Sequence, residues 1–258
     1  MEATALNKEM ERHTYGIMND VEDKHWWFVG RRAILESFME GIRLSFVSRP
    51  SSVKILDVGC GTGANLEMLA QFGVSEGVDV SDDALEFCKK KGLKVHRGLA
   101  EQLPFEDESF DVVTALDVVE HLDDDVAGLK EMNRVLKNDG RTLIFVPAFM
   151  WLWGVQDDIS NHRIRYTRKE IVDRLKSVGF EIERATYANI TFFLPIFLGR
   201  VLMKIAGIKP ESENNVNISA LNGFFGKIFS SERFWLRRAN FPFGVSIVIV
   251  AKKALSAD

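Results

Sequence analysis

From Ile55 to Ala64 the chain reads Ile-Leu-Asp-Val-Gly-Cys-Gly-Thr-Gly-Ala, an apolar run entering three alternate glycines, Gly59, Gly61 and Gly63. Glycines placed this way between a strand and a helix let backbone approach a ligand closely. Gly59, Gly61 and Ala64 also satisfy the dinucleotide fingerprint G-x-G-x-x-G/A. Asp57 separates the two readings. Two residues before the first glycine, its carboxylate stands near where a pyrophosphate would lie, and uncompensated it repels that phosphate. It attracts instead a ligand with an ammonium and a sulfonium and no phosphate, and S-adenosylmethionine (SAM) is such a ligand. About 20 residues beyond the loop, Asp79 in Val78-Asp79-Val80-Ser81 suits the paired hydroxyls of a ribose, because a carboxylate accepts two hydrogen bonds. The plainer role for Asp79 is a helix cap, for which Ser81 and Asp82 are better placed.

Two other segments carry chemistry. His25-Trp26-Trp27-Phe28-Val29-Gly30-Arg31-Arg32 sets three aromatics among cations. It serves either as an anchor of the N-terminal helix with solvated arginines, or as a lid that places Trp27 over a ligand and Arg31 on a carboxylate. The stretch from Met150 to Thr167 follows a strand and holds Trp151, Trp153, Asp157, His162 and Arg165. Such residues in a loop are expensive to order unless they build a site. Trp151 and Trp153 suit an apolar acceptor pocket. His162 and, in Asp117-Val118-Val119-Glu120-His121-Leu122, His121 are candidate bases near neutral pH. The alternative is that His162 and Arg165 tie this loop to the acids at Asp123 to Asp125. Ten acids and no Lys or Arg lie from Glu101 to Asp125, which reads as a solvated face. No His/Cys cluster has zinc spacing and no calcium-loop pattern occurs, so no metal is expected.

The elements that must hold these residues alternate regularly. Strands are expected at 53–58, 74–80, 93–95, 110–116, 142–146, 181–187 and 245–251, with helices between the earlier ones. Before them, Ile34, Leu35, Phe38, Met39 and Ile42 recur at helical spacing, with Asp23 as candidate cap and Arg49 to Ser52 as the break. Thr167 and Glu170 frame a capping box. This is the pattern of βαβ units in a mostly parallel sheet covered on both faces. Residues 1–50 are expected as an N-terminal helical cap on a domain spanning 51–258, which carries a helical insert at about 190–243. Pro195 opens a helix in that insert with Phe197, Leu198, Val201, Leu202 and Ile205 on one face. That face either packs on the sheet, the favoured expectation, or meets a hydrophobic substrate or a membrane surface.

In order and spacing these motifs resemble the class I SAM-dependent methyltransferases, and the resemblance runs from about Val53 to Val146. It implies a doubly wound Rossmann-like sheet of seven strands, the last antiparallel. It further implies that Gly59, Gly61 and Gly63 lie under the methionine portion of SAM, with Asp57 reaching its amino group and Asp79 its ribose. By the same resemblance Val80 and the Ala100-Glu101 pair belong to the cofactor site, the pair at the adenine edge, and Asp117 lies beside the transferring methyl. Leu99 stands where the family often has Asp, and Leu136-Lys137-Asn138-Asp139-Gly140 replaces its L-K-P-G-G turn. In the loop after the fifth strand, Ile164 stands where Arg is frequent.

Composition narrows the rest. At 258 residues the chain suits one full-sized α/β domain, and 46% apolar with 27% charged residues excludes wholesale disorder. A net charge of −4, and no motif for a flipped base, argue against nucleic acid as partner. Two cysteines, Cys60 and Cys88, and no signal-like apolar run near the start suggest a cytoplasmic setting. The expectation is a SAM-dependent methyltransferase, releasing S-adenosylhomocysteine (SAH), that acts on a small amphiphilic, aromatic or lipid-like acceptor, with oxygen favoured and peripheral membrane contact open. The rivals are an NAD-dependent oxidoreductase and a non-catalytic SAM-binding protein.

Overall fold

The computed structural model describes residues 12–46, 53–207 and 221–254. The Arg49 to Ser52 break and the extreme termini lie outside them. Seven strands form one sheet: β1 (Lys54–Val58), β2 (Val74–Asp79), β3 (Val95–Arg97), β4 (Phe110–Leu116), β5 (Leu136–Pro147), β6 (Phe180–Ala188) and β7 (Ser246–Lys253). Their order is β3-β2-β1-β4-β5-β7-β6. The pairs among β1 to β5 are parallel, and β7 runs antiparallel to both β5 and β6. The Rossmann-like architecture expected from the sequence is therefore present, with the antiparallel strand last in the chain.

The sheet forms because its central strands are apolar on both faces. All seven residues of β4, Phe-Asp-Val-Val-Thr-Ala-Leu, are buried, as suits a parallel strand covered twice. Alternate residues feed separate cores. Val113 and Ile144 pack with Leu129 and Met132 of α5 (Asp125–Val135) and Ile171 and Leu175 of α7 (Arg168–Ser177). Val112, Leu143 and Phe145 pack with α2 (Trp26–Arg43), α3 (Ala64–Leu69) and α9 (Asn222–Leu236). The expected stripe Ile34, Leu35, Phe38, Met39 and Ile42 is buried throughout. It shares its core with the sheet, so the described part of the N-terminal cap is a wall of the same globule. Thr167 and Glu170 make the capping box that opens α7.

The structure corrects several expectations. His25, not Asp23, caps α2: its Nδ1 accepts from the Trp27 N–H at 3.3 Å. The third strand lies two residues later than expected. Residues 137–140 are no separate turn; β5 begins at Leu136, and its register with β4 shifts between Phe110 and Val112. The insert contains α8 (Phe193–Ala206) and α9, which differ in role. α9 packs on α2, where a Cβ on Gly30 would come within 2.4 Å of the Phe229 ring. No residue of α8 is buried among the described residues, so its apolar stripe does not pack on the sheet as favoured.

Candidate active site

The strand order reverses between β1 and β4, and open α/β sheets bind ligands outside the carboxyl ends of the strands at that point. There β1 runs into the glycine loop. Gly59 has φ +68°, and a Cβ on it would sit 2.4 Å from Val118. Gly61, at φ +52°, faces open space, with only Met18 3.8 Å away. Asp79 braces the loop: Oδ2 accepts from the Gly61 N–H and Oδ1 from the Ser81 N–H, both at 2.9 Å. Ser81 itself caps α4 (Asp82–Lys90), so the capping role falls to it rather than to Asp79. Burial raises the Asp79 carboxyl, against the pull of these backbone donors. Two oxygens offer about four acceptor sites, so Asp79 keeps room for hydroxyls.

Asp57 is 1% exposed. Its Oδ1 accepts from the Thr114 hydroxyl at 2.6 Å, while Oδ2 is buried with no hydrogen-bond partner among the described residues. Burial pushes its carboxyl up to about 7, although Thr114 and Arg31 favour the charged form. The N-terminal segment covers this region. Glu22, just past α1 (Arg12–Val21), accepts at Oε1 from the Thr62 hydroxyl at 2.6 Å. Arg31, from α2, is buried; it pairs with Asp117 at 2.7 Å and donates to Asn65 at 3.1 Å. Trp27 stacks on its guanidinium at 5.4 Å and Phe145 at 5.0 Å. In this structure the Arg31 guanidinium is thus engaged with Asp117. Asp117 has φ +59°, a left-handed conformation uncommon outside glycine, and such strain clusters at functional sites.

Val80 and Ala100-Glu101 follow β2 and β3, whose register pairs Asp79 with Arg97. The Val80 carbonyl accepts from Arg97 at 3.3 Å, and Ala100 is buried. These residues therefore flank Asp79 on the side away from Asp57.

The loop after β5 builds the other half of the site. Asp157, in the short helix α6 (Val155–Ile159), is its centre and is 1% exposed. His162 Nδ1 lies 2.8 Å from its Oδ1, Arg165 donates to that oxygen at 2.7 Å, and the Gly154 N–H donates to Oδ2 at 2.8 Å. Burial would raise this carboxyl, but these donors outweigh it and hold it at about 2. A proton on His162 Nδ1, donated to Asp157, leaves Nε2 with its lone pair, 3.9 Å from Glu120 Oε1. The His121 ring stands 4.7 Å from that of His162. Burial, with His162 beside it, lowers His121 to about 3, so it is neutral at ordinary pH. Arg163, not His162 or Arg165, reaches the acidic run, donating to the His121 carbonyl and pairing with Asp123. The acids from Glu101 to Asp125 are no simple solvated face, since Glu120 is fully buried and Asp117 pairs with buried Arg31.

Beside this loop Trp151 stacks on Phe149 at 5.1 Å and meets Phe193 and Phe197 of α8 edge-on. Trp153 turns away and donates from Nε1 to Asp158. Glu120 had no role assigned from sequence, and Asp157 was only one of several loop residues with no partner named. The only sequence signal for them was adjacency to His121 and a place in the His162 loop.

Residues 56–144 match the family described as a methyltransferase domain. They span the glycine loop, Asp79 and Asp117, in the strand order described above. Residues 56–144 thus carry a methyltransferase domain, and the sheet has the fold of the SAM-dependent methyltransferases. A SAM-dependent methyltransferase from Thermotoga maritima superposes on it with a TM-score of 0.60 and 22% identity, over 95% of this chain and 100% of that one. The demethylmenaquinone methyltransferase of Chlorobaculum parvum is 40% identical over 98 residues, which cover 36% of this chain and 41% of that protein. A Methanocaldococcus jannaschii protein of uncharacterized role is 27% identical over 172 residues, 64% of this chain and 80% of that one. The family match ends at residue 144, before the His162 loop and α8.

Proposed function

We propose that this chain transfers the methyl group of SAM to an oxygen of a small, amphiphilic or aromatic acceptor. The observation that carries the cofactor half is the unpartnered Oδ2 of Asp57 at the mouth of the glycine loop. A buried carboxylate lacking a partner is unfavourable. A ligand ammonium supplies that partner, whereas a pyrophosphate adds repulsion. Asp79 would take the ribose hydroxyls, Val80 and Ala100-Glu101 the adenine side, and Trp27 and Arg31 the methionine end beside Asp117. Bound SAM supplies an electrophilic methyl carbon on a sulfonium. The chain's own contribution is to exclude water, align the acceptor and accept its proton, and alignment alone is worth several kcal/mol, up to roughly 7–11 in well-oriented systems. His162, oriented by Asp157, is the nitrogen that can receive a proton there, whereas His121, lowered to about 3, is a poor base.

Support for a greasy acceptor comes from the aromatic group Phe149, Trp151, Phe193 and Phe197 at the end of β5. It comes also from the apolar face of α8 beyond it. Among the described residues no helix is long and apolar enough to cross a membrane, so contact with a lipid surface would be peripheral. The test is calorimetric titration with SAH and, separately, NAD. SAH should bind and NAD should not, and Asp57→Asn should weaken SAH by at least about tenfold, the scale of one charge-assisted hydrogen bond. Uptake of NAD without SAH would overturn the reading. Release of SAH from SAM in the presence of hydroxylated amphiphiles distinguishes the enzyme from a mere binder.

A further inference from the structure

Glu120, His121 and His162 converge at the end of β4, and proton transfer accounts for only one of the three. One oxygen and two nitrogens from them all lie within 4.8 Å of one another. Glu120 is 0% exposed, and neither of its oxygens has a hydrogen-bond partner among the described residues. A proton would satisfy one of those oxygens and leave the other bare. Half-buried Asp117, although paired with Arg31, adds its negative charge beside Glu120. From behind, Asp157 bonds Nδ1 of His162 at 2.8 Å, and Arg165 and the Gly154 N–H fix Asp157 in turn. A carboxylate behind an imidazole, setting its tautomer and aiming the other nitrogen forward, is the arrangement that supports metal-bound histidines.

We propose that Glu120, His121 and His162 bind a divalent first-row cation of the Zn2+ or Mn2+ class. Such an ion holds nitrogen and carboxylate oxygen at about 2.0–2.2 Å, so tetrahedral ligand atoms stand about 3.4 Å apart. The three ligand atoms, all within 4.8 Å of one another, close on it with side-chain shifts of roughly 1 Å. Three protein ligands leave a coordination position open toward Asp117 and the methyl-transfer site, as in catalytic rather than structural sites. The inference deepens the methyl-transfer reading and rests on it for what fills that position: a hydroxyl of the acceptor. The cation lowers the pKa of a bound hydroxyl. Its proton leaves to water, the alkoxide or phenolate oxygen forms the new O–CH3 bond, and the S–CH3 bond breaks with its electron pair returning to sulfur. With the cation bound, the two imidazoles are ligands and the base is water.

The test uses the whole chain, stripped with chelator, dialysed and titrated calorimetrically with Zn2+ and with Mn2+. One ion per chain is expected. Glu120→Gln and His162→Asn should each weaken it at least about tenfold, and Asp157→Asn should do so by about 10–100-fold, while SAH titration and the melting curve of Glu120→Gln stay like those of the parent. Should the variants fail to fold, Co2+ added to the unmodified chain should give the visible ligand-field bands of a nitrogen- and oxygen-ligated site. No stoichiometric uptake by the parent chain, no such bands, or undiminished affinity in Glu120→Gln overturns the site. The SAH titration keeps this failure apart from failure of the cofactor reading, which shows as lost SAH binding whatever the ion does.

Discussion

Asp57 ties the sequence to cofactor choice through one number. Its carboxyl is lifted from an ordinary 3.8 to about 7 by burial. The sign follows from linkage: a group whose pKa is raised by folding stabilises the fold fully below its unfolded value, and that contribution is lost as pH rises through about 7. A ligand ammonium reverses the preference by favouring the charged form. Affinity for SAM should therefore climb from about pH 6 to 8, by up to roughly tenfold per unit below the midpoint, with a proton released on binding. Calorimetry in buffers of different ionisation enthalpy counts that proton. A wild-type profile no steeper than that of Asp57→Asn would sink the assignment. The residue types here were legible before the fold because Gly59, Gly61, Asp57 and Asp79 lie in two short stretches at fixed offsets. Glu120 and Asp157 were not, because their meaning depends on partners brought from another loop.

At the scale of elements, α8 links the site to the surface. Its Arg200 donates to the Leu152 carbonyl and lies 3.6 Å from Asp157, and Phe197 meets Trp151. On its outer side Leu202 and Ile205 are 64% and 78% exposed. An apolar face uncovered among the described residues, with Lys204 in the same helix, fits an acyl–headgroup boundary. The chain should sediment with anionic vesicles at low salt, and Leu202→Glu with Ile205→Glu should abolish this without changing SAH binding. Full recovery of the wild-type chain in the supernatant would remove lipid contact from the account. The sequence showed the stripe but not its destination: an apolar helical face looks alike whether it meets a sheet or a bilayer.

At the scale of the molecule, α2 and α9 close one face of the sheet although about 200 residues of chain separate their facing positions, Gly30 and Phe229. Phe229 is fully buried against Trp26 and Phe192. Phe229→Ala should cost about 3–5 kcal/mol, from lost transfer energy plus a residual cavity. Denaturant unfolding reads it as a lowered midpoint at constant slope. A loss below about 1 kcal/mol, the scale of a surface change, would show that α9 is dispensable to the core. Since α2 also carries Trp27 and Arg31, such a loosening should reach the methionine end of the site.

Periodicity and short-range motifs by themselves determined the alternation of strands and helices, the glycine loop with its two acids, and hence the sheet and its cofactor class. These depend on local backbone requirements and on the face a residue must bury, both written within a few positions of chain. Only the tertiary structure decided that Arg31 pairs with Asp117, that Asp157 rather than the 123–125 acids holds His162, and that Glu120 meets two imidazoles. Those pairings depend on distances between segments that the chain separates and the sheet brings together, and on the burial that gives each charge its strength.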